Sequence, residues 1–296
     1  GNANAGSSDP WVARYNSSGL RLWLIQFGTP SSDTALALTL DGVGGFYVAG
    51  STSGSLGGPS AGLTDAWIAR FDSTGTQLWI RQVGTSLVDT GVALASDGAD
   101  GVFWAGGTDG ALGGPSAGAR DPWLARYDSS GNRLSIVQFG SSVDDWPGAV
   151  CIDGFGGSFL AGLTNGTLGG PSVGFADAWI ARLHSAMTIA WIDQIGSTSH
   201  DDATALASTV SSSVYSAGHT YGILAPGGGG GEDAWLARYD LCYPDCTGDG
   251  AQTVADFGCF QGRYVLGDPY ADCNASGTLT IADFGCFQNK YVLGCP

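Results

Sequence analysis

Asp245, Thr247, Asp249, Ala251 and Asp256 stand at positions 1, 3, 5, 7 and 12 of one twelve-residue window, with Gly250 at position 6. Asp272, Asn274, Ser276, Thr278 and Asp283 repeat that spacing 27 residues later, around Gly277. Hard oxygens from alternate residues, with Gly where the chain bends most tightly, are what a calcium ion needs from a loop that wraps it. The sequence therefore predicts two calcium sites. Side chains supply the ligands at every position except Ala251 and Thr278, whose backbone carbonyls serve. Thr247 and Ser276 stand where stronger ligands would sit, so the expected affinity is modest. The competing reading is a pair of loops held by disulfides without a metal.

Six of the seven Cys crowd this C-terminal stretch. Cys246, Cys259, Cys273 and Cys286 follow the 27-residue step, while Cys242 and Cys295 flank the module and can clasp its ends. Six Cys permit 15 pairings, and spacing alone selects only that outer pair as a guess. The CxxC pairs of a zinc site are absent, so disulfides and an oxidising, extracytoplasmic setting are expected. Cys151 lies in a strand far from the others and reads as a buried free thiol.

Other motifs invite catalytic readings and lose them on inspection. Gly58-Pro59-Ser60-Ala61-Gly62 fits a nucleophile pattern, but it returns at Gly114–Gly118 and Gly170–Gly174. A nucleophile elbow is a single strained strand-to-helix turn with His and Asp partners, so three copies in a helix-poor chain predict turns instead. The acid clusters Asp144-Asp145 and His200-Asp201-Asp202 could serve glycoside hydrolysis. Asp145 and Asp201, however, belong to a series with Asp33 and Asp89, which predicts a structural hydrogen bond or pairing with the recurring Arg14, Arg70, Arg126, Arg182 and Arg238. Trp104 and Trp146 break the repeat pattern and are read as exposed; they could stack on sugars, although packing within the repeats is the favoured role.

The elements that position these residues come in two kinds. Asp-Pro/Ala-Trp-apolar-Ala-Arg begins at Asp9, Asp65, Asp121, Asp177 and Asp233, a constant step of 56 residues. Gln26, Gln82, Gln138 and Gln194 keep that step, as do Gly50, Gly106, Gly162 and Gly218. Each repeat reads as four short strands, typified by Asp65–Arg70, Trp79–Val83, Val92–Ala95 and Val102–Ala105, bounded by Gly, Asp and Ser. Apolar residues on both faces predict sheets packed on both sides. After Leu241 the pattern changes: Val254, Phe257, Phe260 and Tyr264, then Ile281, Phe284, Phe287 and Tyr291, recur at helical spacing, with Gly267 and Gly294 where helices stop. Two domains follow, 1–240 and 241–296.

Composition agrees. There are 50 Gly and 27 acidic against 11 basic residues, and the net charge is −16. Of the acids only Glu232 is Glu, and Lys290 is the only Lys, so the residues that favour helix surfaces are nearly missing. Such acidity argues against nucleic acid, which needs a basic face. No apolar run is long enough to span a membrane.

The repeat, with Asp65-Ala66-Trp67-Ile68-Ala69-Arg70 and the hairpin Leu40–Gly50, resembles the SBBP family of bacterial β-propeller repeats over residues 9–240. That resemblance implies a mostly β fold, a propeller of four to five four-stranded blades. The Trp strand occurs five times and the others four, giving 17 strands, one more than four blades use. The extra strand invites head-to-tail pairing with a neighbouring chain. Residues 242–296, with Asp at both loop ends and the closing Tyr291-Val292-Leu293-Gly294-Cys295-Pro296, resemble a GC-type dockerin, an EF-hand-like calcium module of secreted bacterial proteins.

The expectation is a non-enzymatic, secreted or cell-surface structural or adhesion protein. Its calcium module would dock a rigid propeller to a cohesin-like partner or to a neighbouring copy of itself. A carbohydrate-binding propeller with a glycan partner is the first alternative, and a dockerin-borne polysaccharide hydrolase the second.

Overall fold

The computed structural model describes residues 4–97, 101–154, 156–209, 213–225, 228, 231–240, 246–247, 252–267, 271, 273 and 278–293. Among the described residues, strands make up 48% and there are two helices. A ribbon of β1 (Trp11–Tyr15) and β2 (Arg21–Gln26) comes first. Three four-stranded antiparallel sheets follow: β3 (Asp33–Leu40), β4 (Phe46–Thr52), β5 (Asp65–Phe71) and β6 (Gln77–Val83); β7 (Asp89–Ser96), β8 (Val102–Thr108), β9 (Asp121–Tyr127) and β10 (Arg133–Gln138); and β11 (Asp145–Ile152), β12 (Ser158–Thr164), β13 (Asp177–Leu183) and β14 (Ile189–Ile195). The last sheet has three strands, β15 (Asp201–Ser208), β16 (Ser213–Thr220) and β17 (Asp233–Asp240). The 17 strands fall where the repeat places them.

Within each sheet, sequence neighbours pair as hairpins, which is the short connection that tight Gly- and Asp-containing turns allow. A bulge recurs opposite the repeated Gly: the register shifts between Ala35 and Ala37, Gly91 and Ala93, Pro147 and Ala149, and Ala203 and Ala205. Bulges add twist to the strand that carries them.

The sheets stack in series. β7 packs on β3, β4 and β5; β11 packs on β7, β8 and β9; β15 packs on β11, β12 and β13. Being covered on both faces, β4, β8 and β13 are buried along their whole length. The cores are aromatic, with Trp104 edge-on to Trp123 at 4.8 Å and Phe139 edge-on to Trp179 at 5.7 Å. The leading ribbon joins the same stack, since Phe27 meets Trp67 and Trp23 stacks on Phe46. Among the described residues, β15 makes no substantial packing contact with β3 or with the leading ribbon.

Two of the recurring arginines tie one sheet to the next. Arg14 donates to the Ser73 carbonyl at 2.7 Å and Arg70 to the Ser129 carbonyl at 2.8 Å, one repeat further along. Arg70 also pairs with Asp41 at 2.7 Å, Arg126 with Asp97 at 2.8 Å and Arg182 with Asp153 at 3.3 Å. Those partners are hairpin-turn aspartates, not Asp33, Asp89, Asp145 and Asp201 as the sequence led us to expect. Register explains the correction, because antiparallel pairing of β4 with β5 brings Arg70 opposite Tyr47, beside the turn that starts at Asp41.

Among the described residues, two helices follow the sheets, α1 (Val254–Leu266) and α2 (Ile281–Leu293). Phe260 and Phe287 are fully buried and stack at 4.1 Å. Val254 and Ile281, expected on the same apolar stripe, are instead 83% and 81% exposed, because each sits at the first turn of its helix.

Candidate calcium-binding loops

Each loop ends on an aspartate that also starts a helix. Thr253 caps α1: its hydroxyl accepts from the Ala255 N–H at 3.2 Å, and its own N–H donates to Asp256 Oδ2 at 2.6 Å. This reciprocal arrangement is a capping box. Asp283 accepts the Thr280 N–H at 2.7 Å in the same way at α2. Both carboxylates are completely buried.

Asp256 also reaches back into its loop. Its Oδ1 accepts the Thr247 N–H at 2.9 Å and the Thr247 hydroxyl at 2.7 Å. Positions 3 and 12 of the first candidate site are therefore in contact. Burial by itself would raise the Asp256 carboxyl, but hydrogen bonds from the Thr253 and Thr247 N–H groups and hydroxyls outweigh it and hold the group below the usual carboxylate range. It is ionised at neutral pH, as a calcium ligand must be. Of the other expected ligands, Thr278 is exposed near α2; Asp245, Asp249, Ala251, Asp272, Asn274 and Ser276 lie outside the described residues.

Disulfides fix these loops to their helices. Cys246 joins Cys259, and Cys273 joins Cys286, each with Cα atoms 5.8 Å apart. Each bridge ties a residue beside a loop's first ligand to the middle of the helix behind it. The outer pair, Cys242 and Cys295, lies outside the described residues. Cys151 is free and partly buried, and burial pushes its thiol up to about 12.

A calcium ion suits this donor set because every candidate is an oxygen. Asp256 and Thr247 would hold it in the first loop and Asp283 in the second, and the bound ion would supply a fixed double positive charge that holds the loop closed.

The motifs of the repeat are structural. Ser60 Oγ donates to the Gly62 carbonyl at 3.1 Å and Ser116 Oγ to that of Gly118 at 2.9 Å, closing turns rather than activating a nucleophile. Those turns cap the next strand: the Ala61 N–H donates to Asp65 and the Ala117 N–H to Asp121, at 2.8 and 2.7 Å. Gln82 completes the clasp, donating to Asp65 at 2.7 Å and accepting the Leu56 N–H at 2.8 Å. Asp33, Asp89, Asp145 and Asp201 are buried and accept N–H groups from four residues before. Asp145 and Asp201 are thus committed to loops.

Trp104, expected at the surface, is fully buried. It lies over Gly91, where a Cβ would overlap its ring. Trp146 is 43% exposed, with the Arg120 guanidinium 4.2 Å above its ring. Thr253, Thr280 and the turn aspartates Asp41, Asp97 and Asp153 are the organising residues that sequence reasoning missed. The Thr-x-x-Asp spacing before each helix was the signal available for the first two.

No protein-family model matches the chain. Over 167 residues it is 26% identical to the regulatory protein FlaEY of Caulobacter vibrioides, a match covering 50% of this chain and 17% of that protein. The matched length is close to three of the 56-residue repeats.

Among the described residues, no helix is long and apolar enough to cross a membrane.

Proposed function

We propose that the chain is a secreted or cell-surface structural protein, without enzyme activity, that joins a β-propeller region of four-stranded blades to a dockerin-like calcium module. The proposed blades are the stacked sheets, and the resemblance to SBBP repeats and GC-type dockerins gives them that reading. Two calcium ions would fix the paired loops and present the α1–α2 unit to a cohesin-like partner or to a neighbouring copy.

One observation carries the self-assembly part. The motif strand turns its Trp toward the preceding sheet and its aliphatic residue toward the following one, as Phe27–Trp67 contact and the shared core of Leu124 and Trp179 illustrate. At the start of the stack Trp11 is 62% exposed and shares a shallow depression with Leu36 and Leu38; at the far end Leu236 is 71% exposed. The two bare faces are the two halves of the interface repeated inside the molecule. Such faces associate head to tail between copies, and a rotation that does not close gives a filament.

Light scattering on the purified full chain tests this reading, with calcium and then with a chelator. Growth beyond the 30.1 kDa monomer, abolished by Leu236→Asp, is the expected result. A monomer under both conditions overturns self-assembly and leaves a separate protein or a glycan as the partner. Calorimetry should find two calcium ions per chain, with Asp256→Asn removing one; an unchanged stoichiometry would discard the loop assignment.

A further inference from the structure

The final sheet departs from the repeat at one place. His200, Asp202 and His219 occupy positions that hold Asp144, Trp146 and Leu163 one repeat earlier, and Val88, Thr90 and Gly107 before that. Tyr221 and Glu232 likewise replace Asn165 and Ala176. Two of the chain's three His residues and its sole Glu therefore gather where no other repeat has either type.

The backbone brings them together. His200 immediately precedes β15, is bridged to Ala176, and accepts the Tyr221 N–H at its carbonyl at 2.9 Å. Asp202 lies two residues on, so it shares a side of the strand with His200. Asp202 also pairs directly with His219 across β15 and β16, and opposite residues of an antiparallel pair share a face. The two imidazoles lie 5.8 Å apart and 26° from coplanar, with the Tyr221 ring edge-on to both. One ligand atom from each of His200, Asp202 and His219 lies within 4.8 Å of the other two, and all three residues are half-buried. Among the described residues, no contact ion pair joins Asp202 to either imidazole. The three bring their ligand atoms to one place.

We infer that His200, Asp202 and His219 form a binding site for a borderline divalent transition-metal ion, zinc being the representative. Imidazole nitrogens suit zinc, cobalt and nickel, whereas calcium takes oxygen ligands. Zinc bonds to nitrogen and carboxylate oxygen at about 2.0–2.2 Å, which places neighbouring donors of a tetrahedral shell roughly 3.3 Å apart. Closing donor separations of up to 4.8 Å to that spacing asks only for small movements of the side-chain tips. Three protein ligands leave a coordination position for water or an outside ligand, the pattern of an open site. Glu232, which accepts the Tyr221 hydroxyl at 3.1 Å, adds a carboxylate at the rim.

The test is titration of Co²⁺ into the full chain with calcium saturating, followed by visible absorption, and then competition by Zn²⁺. One equivalent should bind, with the d–d bands of a nitrogen- and oxygen-ligated ion, and zinc should displace it. His219→Ala should weaken binding by more than the roughly 10–100-fold that loss of a mere supporting partner costs. His184→Ala should leave it unchanged. Far-UV circular dichroism checks the fold of each variant; if His219→Ala does not fold, the near-isosteric Asp202→Asn decides. Failure to bind one equivalent, undiminished binding in a folded His219→Ala or Asp202→Asn, or an intense near-ultraviolet thiolate band that vanishes in Cys151→Ser each overturns the assignment.

Discussion

Trp67, Trp123 and Trp179 inside the stack, and Trp11 at its start, come from one motif, yet the first three are 0–1% exposed and Trp11 is 62% exposed. The aliphatic neighbour shows the same contrast at the other end, with Ile68 and Leu124 at 0% and Leu236 at 71%. Local sequence is nearly constant, so the difference is set by what lies on either side. A repeat of this kind cannot bury both faces alone and gains its core only from neighbours. The ends of the stack are thus the places where the chain can trade intramolecular packing for association.

The largest expected effect sharpens that contrast. Trp123→Ala should lower stability by about 3–5 kcal/mol, the usual result of emptying an aromatic core site. Trp11→Ala should change monomer stability by no more than about 0.5 kcal/mol, like other surface changes, while weakening assembly. Denaturant melts of both variants check this, and equal losses would show that the ends are packed as tightly as the middle.

A second comparison sets the sheets against the helical unit. The sheets are held by stacked cores, whereas the small helical unit rests, among the described residues, on one small aromatic cluster around Phe260 and Phe287 and on two bridges. Cys273→Ser with Cys286→Ser should destabilise that unit by roughly 3 kcal/mol through loss of loop closure and leave melting of the sheets unchanged. Differential scanning calorimetry should show one transition moving and the other holding.

Two buried aspartates of the sheets should respond to pH in opposite senses. Burial alone would raise Asp41, but Arg70 and the N–H groups of Val43 and Gly45 outweigh it, so its folded carboxyl lies below the ordinary value. Its contribution is then present above the unfolded pKa of about 3.9 and lost as pH falls through the folded value. Asp41→Asn should cost on the order of 1–3 kcal/mol at pH 7, and the gap from the parent should shrink in acid. Burial raises Asp145 beyond what its bonds to Thr164 and Ser141 recover. Asp145→Asn should therefore lose relatively least at neutral pH, and its gap from the parent should widen as the parent's carboxyl becomes protonated. Melts followed from pH 7 to well below the unfolded carboxylate value of about 3.9 distinguish the two; parallel curves would refute the opposed signs.

How far the sequence reveals this molecule depends on whether its signals are local. Strands, turns and the Gly-x-Ser-x-Gly copies were legible, because a 56-residue period fixes them without knowledge of the fold. The helices were legible from the spacing of Phe257, Phe260 and Tyr264. Partners were harder. The link from Arg70 to Asp41 spans 29 residues and depends on strand register, and Trp104 is buried by a glycine in the neighbouring strand. His219 was passed over for the same reason: it stands 17 residues beyond Asp202, and only the pairing of β15 with β16 brings them opposite.

The smallest expected effect asks whether the interface between sheets can be edited. Gly131 adopts φ 80°, and the Trp79 ring of the preceding sheet lies 2.8 Å from where its Cβ would be. Gly75, also at positive φ, faces the Trp23 ring at a looser 3.5 Å. One repeat later both partners change together, since the turn position is Met187 and the Trp position is Ser135. Met187 keeps the left-handed backbone, at φ 61°, and is 5% exposed. A large side chain on the turn thus replaces a large side chain on the strand. Met187→Gly alone relieves about 1–2 kcal/mol of backbone strain but loses about 1.5–3 kcal/mol of burial, for a small net loss. Ser135→Trp alone crowds Met187 and should cost about 1–3 kcal/mol. Together they restore the Gly131–Trp79 arrangement, so the double variant should be more stable than the sum of the singles predicts, by a coupling of about 1 kcal/mol or more. Strict additivity in that cycle would mean that the two positions do not share a space.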